Sequence, residues 1–571
     1  MSPPRPSSSL PTSLSSFLAS SHPSTDTFLR AFALGWAAHT LPSLLRLVLA
    51  TAKSSRRSSS RPQLRNLLLA LVAALRPGRL ALAAGVAFGG AQCADGIVEP
   101  IVRRAYFSAV VRARALREGK GKARETEASL EREQQQVIQD ERNVRALSTF
   151  VGGSLSSLAA LLILQRSKRP TTSRASPDGD ERLAFTVTPY PPTVSSDPSS
   201  PPTNGTLPST FSARVAPAPA LQSPTLDLTL FIFVRAADAL IRFSHERLSP
   251  RLLRTRLAPL LTLAASHGDL LLFVLSAWRI MWAWFYQPHL LPPSYGRWIL
   301  QLARMDPRLL SLLQFARGRR YVYGKEPDVE VMSMCEGIAR HAGTDVNLVN
   351  PARISRLDCS FVHGRLGAGS CETNAAKRWA RAFLDALLIY LPVHAIPPLL
   401  FNFRRVLRDP SSSLLRILLA ASRSSAFLAT FIASVYAAVC LTRTRLPILL
   451  PSVSPPQQSL DAGLCVLAGT FACGWSVLLE NKRRRREMAL YCAPRALYAV
   501  LDELVPAALQ RGKTGECLAC WAERTVFALS SGTVIAAAVH RPDLISGVVR
   551  GVASFAVGRW GGAAEGRKKG Q

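Results

Sequence analysis

The chain has 571 residues, is 48% hydrophobic and 19% charged, and carries a formal net charge of +33 with a mean hydropathy of +0.14. Soluble domains carry about 25% charged residues, so this balance argues against a soluble globular protein. It points to apolar blocks joined by polar connectors. The basic excess is not gathered on one surface, as nucleic-acid binding requires. It stands at the ends of apolar runs, at Arg56/Arg57, Arg103/Arg104, Arg404/Arg405 and Lys482 to Arg486, where it orients spans and meets anionic headgroups. The 10 cysteines are scattered and several lie inside apolar runs, which is not the pattern of a disulfide framework. The expected partners are therefore membrane lipids and not nucleic acid.

In chain order, residues 1–25 are rich in Ser and Pro and nearly free of acid. They lack a basic start followed by an apolar core and read as a disordered tail. A first set of membrane segments is expected over 26–325. Its apolar runs are Phe28–Ala50, Leu67–Phe88, Leu147–Gln165, Leu226–Phe243 and Leu260–Phe285, each near the length needed to cross a bilayer. Residues 103–145 are highly charged and predict an exposed helix. Residues 167–223, with their PPT, PSSPPT and PAPA runs, predict a disordered loop. A polar Cys/His-rich segment follows over 326–378. A second set of runs, Phe383–Leu400, Leu414–Leu441, Leu460–Leu479 and Thr525–Val539, fills 379–560, and a basic tail closes the chain at 561–571.

The two sets are related. Phe28 to Leu45 and Phe383 to Leu400 align without a gap and share 7 of 18 positions, including His39/His394 and Pro42/Pro397. Chance agreement between Leu/Ala-rich helices would favour Leu and Ala. Gly153 to Arg169 then aligns with Gly469 to Arg485, and Leu230 to Ala239 with Leu490 to Ala499, in the same order. The expectation is an all-α, polytopic helical membrane protein built from two related multi-span repeats.

Few residues suggest chemistry. Cys335, His341, Cys359, His363 and Cys371 fall in the polar segment, with C-x5-H and C-x3-H spacings that suit a tetrahedral N/S metal site. Zinc is the candidate cofactor, with Cys335 or His341 as the fourth ligand. Unliganded loop cysteines, or one disulfide, are the alternatives. Within or beside the apolar runs stand His39, His394, Arg235, Asp238, Arg423 and Glu480, polar groups that pair across or along helices when they enter lipid. Arg235 and Asp238 are spaced to share a helix turn. Cys517 and Cys520 form a lone C-x2-C. The chain has no phosphate loop, nucleophile elbow, HExxH or dinucleotide fingerprint, so it is not expected to be an enzyme.

The segment CSFVHGRLGAGSCE, followed by RAFLDALLIYLPVHAIPPLL with its Ile389-Tyr390-Leu391-Pro392, resembles the Cys-rich region of the transmembrane protein 135 family, also called peroxisomal membrane protein 52. SSAFLATFIASVYAAVCLTR and LAGTFACGWSVLLENKRRRREMALYCAPRAL are similar to that family's later spans. The resemblance covers about Cys335 to Trp560. The Gly-headed spans are more distantly similar to those of mitochondrial protein-translocase channels. The resemblance implies a multi-span protein of the peroxisomal, or alternatively mitochondrial, membrane. It further implies a scaffold or regulator of organelle dynamics and lipid handling, with organelle-dynamics proteins or a second copy as partners. The alternative is a carrier or channel for a lipid-related or anionic solute, the use to which transporters put repeats that bury polar residues.

Overall fold

The computed structural model describes residues 23–54, 79–118, 127–165, 223, 225–252, 258–363, 370–401, 403–449, 451, 455–504, 513–558 and 560. Residues 1–22 of the expected tail, 167–222 of the expected loop, the basic tail 561–571 and the Gly-rich 364–369 lie outside the described residues. Among the described residues every regular element is helical. Six of the nine apolar runs belong to helices long and apolar enough, by length and composition, to cross a membrane: Arg79–Ser108, Val137–Gln165, His267–Tyr286, Cys371–Leu399, Pro410–Leu449 and Gln457–Leu479. The runs at 28–50, 226–243 and 525–539 are helical but are not among the six.

The chain forms two compact units, and they do not follow the two halves of the sequence. The first unit contains α1 (Pro23–Ser54), α2 (Arg79–Glu118), α3 (Glu127–Gln165) and α4 (Leu226–Leu252). Within it α1 packs on α2, α2 on α3, α3 on the later helix Lys513–His540, and that helix on α4. The charged stretch 103–145 is divided between the end of α2 and the start of α3, where Arg103 meets Glu141 at 2.9 Å and Tyr106 donates to Asp140 at 3.0 Å.

The second unit contains α5 (Ala258–Tyr286), α6 (Pro293–Ala303), α7 (Pro307–Arg317), α8 (Val329–Ala342), α9 (Cys359–His363), α10 (Cys371–Phe401), α11 (Pro410–Cys440), α12 (Cys465–Gly474, extended by a 3-10 turn to Leu479) and α13 (Lys482–Leu504). Here α10 packs on α11, α11 on α12, α12 on α5, and α5 on α13. The short elements are set by local chemistry. Asp306 caps α7 by accepting from the Arg308 amide at 2.8 Å, with Pro307 in the first turn, where a missing N–H costs nothing. Gly343, at φ 68, ends α8 in the left-handed region. Together α7, α8 and the following loop form a small core around Leu312, Tyr321, Val331, Cys335 and Val349.

The last two helices, α14 (Lys513–His540) and α15 (Gly547–Val557), return to the first unit. Gly532 of α14 lies so close to α3 that an added Cβ would stand 2.6 Å from the Phe150 carbonyl oxygen. Small residues permit such approaches in apolar surroundings.

Candidate metal centre and apolar cavity

The polar segment of the second unit brings three of its five Cys/His candidates together. The ligand atoms of Cys359, His363 and Cys371 lie within 4.8 Å of one another, a group that could hold a metal ion. α9 carries Cys359 and His363 on adjacent turns, and its start is capped by Asp358, which accepts from the Ser360 amide at 2.7 Å. Cys371 opens α10. Cys335 and His341 are not in the group. Cys335 is fully buried in the α7–α8 core, and His341 is half exposed, 3.9 Å from Asp306.

A residue that the spacing argument passed over stands beside this group. Cys440, at the end of α11, has its Sγ 3.5 Å from Nε2 of His363. The thiols of Cys359, Cys371 and Cys440 also act on one another's ionisation, although Cys440 is not among the three whose ligand atoms all lie within 4.8 Å. The hydrogen bond with Cys440 is the main cause that draws the Cys359 thiol down to about 6; burial opposes it and the Arg443 guanidinium assists. Nothing local in the sequence connects Cys440 to the segment. It follows an apolar run and reads as a small hydrophobe.

Two arginines brace the backbone of the α9 region. Arg378 of α10 donates to the carbonyl oxygens of His363 and Ala303, each at 2.9 Å, and its guanidinium lies 3.8 Å from the Tyr436 ring centroid. Arg443 donates to the carbonyl of Leu357 at 2.5 Å and forms a buried ion pair with Asp461, also at 2.5 Å. Asp461 further accepts from the Tyr323 hydroxyl at 2.6 Å and from Gln457 at 3.2 Å. It sits on a π-turn that Gly463, at φ 147, allows.

Between these residues and the helices lies a cavity of about 450 Å³, within the range of small-molecule sites. Its wall is mainly aromatic and aliphatic, with Trp284, Tyr295, Trp298, Phe427 and Phe431 prominent. A connected polar group, Tyr323, Asp461 and Arg443, with Tyr321 beside Tyr323, also lines it. Burial pushes both tyrosine hydroxyls up, so they stay protonated and act as donors.

The intramembrane candidates fall in several places. His394 is buried, with the Arg484 guanidinium nitrogens 3.0 and 3.1 Å from its two ring nitrogens, only one of which can accept, and Ser424 Oγ 3.2 Å away. Ser424 donates to Glu480 at 2.5 Å, and Arg484 lies 3.7 Å from Glu480. Arg423 reaches Asn481. The His394 contacts are therefore interhelical side-chain contacts. They do not form an acyl-transfer triad, because Glu480 binds the serine rather than orienting the imidazole. In the first unit, His39 is half-buried on α1. On α4, Asp238 pairs with Arg242 at 2.8 Å, and Arg235 lies over the Phe231 ring at 5.4 Å. Cys517 and Cys520 lie on α14 outside any described metal-holding group.

No family model, curated protein or solved structure matches the chain.

Proposed function

We propose that this is a polytopic membrane protein that holds the acyl chain of a lipid in the cavity of its second unit, as a lipid carrier does. The observation that carries the reading is the cavity itself, whose mainly apolar, aromatic wall includes the hydrogen-bonded polar group Tyr323, Arg443 and Asp461. It is enclosed by helices of membrane length, α5, α11 and the α12 segment. The apolar surface of α10 supports placement in lipid. Only 17% of its span window is buried within the protein, and Leu388 is 77% exposed. Leaving that much apolar surface in water opposes folding. Placement in the peroxisomal or mitochondrial membrane, and a role in organelle dynamics, rest on the family resemblance and belong to the same proposal.

The test is lipid retention by purified protein. Extraction and mass spectrometry should recover a single-chain lipid or free fatty acid at about one per chain. Leu313→Trp and Ala277→Phe, which fill the cavity, should weaken binding of a fluorescent fatty acid by about tenfold or more, an effect of about 1.4 kcal/mol. Leu388→Trp, on the exposed face of α10, should leave it unchanged. Equal binding by all these variants would refute the site.

Within this proposal the two units are copies of one ancestral unit that have exchanged a helix. The order of packing supports it: α1–α2–α3–α14–α4 in the first unit and α10–α11–α12–α5–α13 in the second. Matching positions are buried alike. Thr27 and Ala31 on α1 answer to Ala382 and Ala386 on α10, and Leu230, Ala236 and Ala239 on α4 to Leu490, Ala496 and Ala499 on α13. On α5, Phe273, Ser276, Met281 and Phe285 answer to Phe527, Ser530, Ile535 and Val539 on α14. Both of these helices end in the same turn. Gln287-Pro288-His289-Leu290 has its first φ at −135, and Arg541-Pro542-Asp543-Leu544 at −143. Burial along α3 and α12 pairs Gly152 with Gly469, one residue away from the Gly153 alignment read from sequence. In this reading each half of the chain contributes four helices to one unit and its next helix to the other.

The metal that best suits a thiolate and imidazole set is zinc, and we assign it to the Cys/His group within the same proposal.

A further inference from the structure

The zinc reading leaves the coordination sphere one ligand short, because Cys359, His363 and Cys371 are three. We propose that Cys440 is the fourth ligand, so that the second unit holds one Zn²⁺ in a closed Cys3His site tying α9 and the start of α10 to the end of α11. The inference rests on the zinc reading of the Cys/His group and is independent of the lipid reading.

The geometry fits the ion. Zn–S bonds of about 2.3 Å and Zn–N bonds of about 2.0–2.1 Å, in a tetrahedron, place ligand atoms about 3.5–3.8 Å apart along the edges. Cys440 Sγ and His363 Nε2 are 3.5 Å apart. The thiols of Cys359, Cys371 and Cys440 are near enough to perturb one another's ionisation. The ligand atoms of Cys359, His363 and Cys371 lie within 4.8 Å of one another, a group that tightens by about 1 Å when it closes on the ion. Without an ion the cluster is hard to account for. It brings three weakly hydrogen-bonding thiols against one imidazole, and none of them is in a disulfide.

The surroundings suit the charge. Three thiolates and Zn²⁺ sum to one negative charge, and buried charge needs a partner. Arg443 acts electrostatically on Cys359 while its guanidinium holds the Leu357 carbonyl, and Arg378 holds the His363 carbonyl. These contacts fix the backbone of the ligand-bearing segment, as outer-shell groups do in metal sites. Four protein ligands leave no open position, so the site is structural and not catalytic. Val362 and Val439, next to His363 and Cys440 in sequence, line the cavity. The ion therefore fastens a part of the cavity wall.

The experiment is metal analysis of the purified full-length chain in detergent, prepared under reducing conditions. The wild type should carry about one zinc per chain, since a closed structural site binds zinc tightly enough to survive purification. Cys440→Ser should lose it, whereas Cys335→Ser and Cys492→Ser should keep it. Replacement by Co²⁺ should give strong thiolate-to-cobalt charge-transfer absorption. Cys440→His should retain the metal with that absorption reduced by about one third, as two thiolates replace three; this variant keeps the test valid should Cys440→Ser fail to fold. Zinc at full stoichiometry in Cys440→Ser, with cobalt absorption like that of the wild type, would refute Cys440 as a ligand while leaving a metal at the other three. A wild type that takes up neither zinc nor cobalt, or that yields a Cys359–Cys371 disulfide by peptide mapping, would overturn the metal centre altogether.

Discussion

The Arg443–Asp461 pair shows what single residues decide in the second unit. Both side chains are nearly inaccessible, at 5% and 9% exposure, so the pair is worth little in itself but much when broken. Removing one partner of a buried pair leaves an uncompensated charge and costs about 3–5 kcal/mol, whereas replacing both by apolar groups is close to neutral. Asp461→Asn should therefore lower the thermal stability of the detergent-purified protein sharply, and Arg443→Met with Asp461→Leu should not restore it, because the Leu357 carbonyl and the Tyr323 hydroxyl then lose their partners. At this scale the sequence was partly readable. C-x3-H spacing and a following Cys pointed to Cys359, His363 and Cys371, and they do meet. Cys440 was not readable, because it closes a span far along the chain and only the return of α11 against α9 brings it there. The part taken by Ser424 and Arg484 beside His394 and Glu480 was hidden for the same reason: interhelical partners leave no mark on local spacing.

Among the elements, contacts of small residues decide which helices meet. Gly532 faces the Phe150 carbonyl and Ser154 of α3, and Gly474 faces the backbone of Val274 on α5. An added Cβ at Gly474 would lie 2.8 Å from the Val274 Cα, so even Ala forces the helices apart. Gly532→Val and Gly474→Val should each cost about 1–3 kcal/mol or more by overpacking. The check is limited proteolysis and thermal melting. Gly474→Val should also weaken fatty-acid binding, because α5 and the α12 segment both line the cavity. Gly551→Ala, which meets nothing within 4 Å, should be silent. The helices themselves were legible, since apolar runs of membrane length bounded by basic clusters can be little else. Their ends were less so. The charged stretch 103–145 reads as one exposed helix, yet its two ends continue α2 and α3, because an apolar run and the polar run beside it can share one uninterrupted helix.

For the whole molecule, a His and a Pro shared by two apolar runs are what the sequence offers for the proposed relationship between its halves. It does not show that α14 packs in the first unit and α5 in the second. Sequence order suggests that each copy closes on itself, and α14 follows α13 in the chain. Packing instead seats α14 between α3 and α4. There Thr225 donates to Glu523 at 2.6 Å, Arg524 donates to Gln165 at 3.0 Å, and Thr149 lies 2.9 Å from His540. The second unit contains α5, and with it Trp284 and Phe285 of the cavity wall. Cross-linking tests the packing of α14 most directly. In a chain carrying Thr225→Cys and Glu523→Cys, with exposed Cys517 and its neighbour Cys520 changed to Ser and a protease site introduced within 505–512, a short bifunctional thiol reagent should join the two fragments after cleavage. Fragments that separate fully after treatment, while controls carrying only Thr225→Cys or only Glu523→Cys react normally at the introduced thiol, would contradict the packing of α14 against α4 and the architecture built on it.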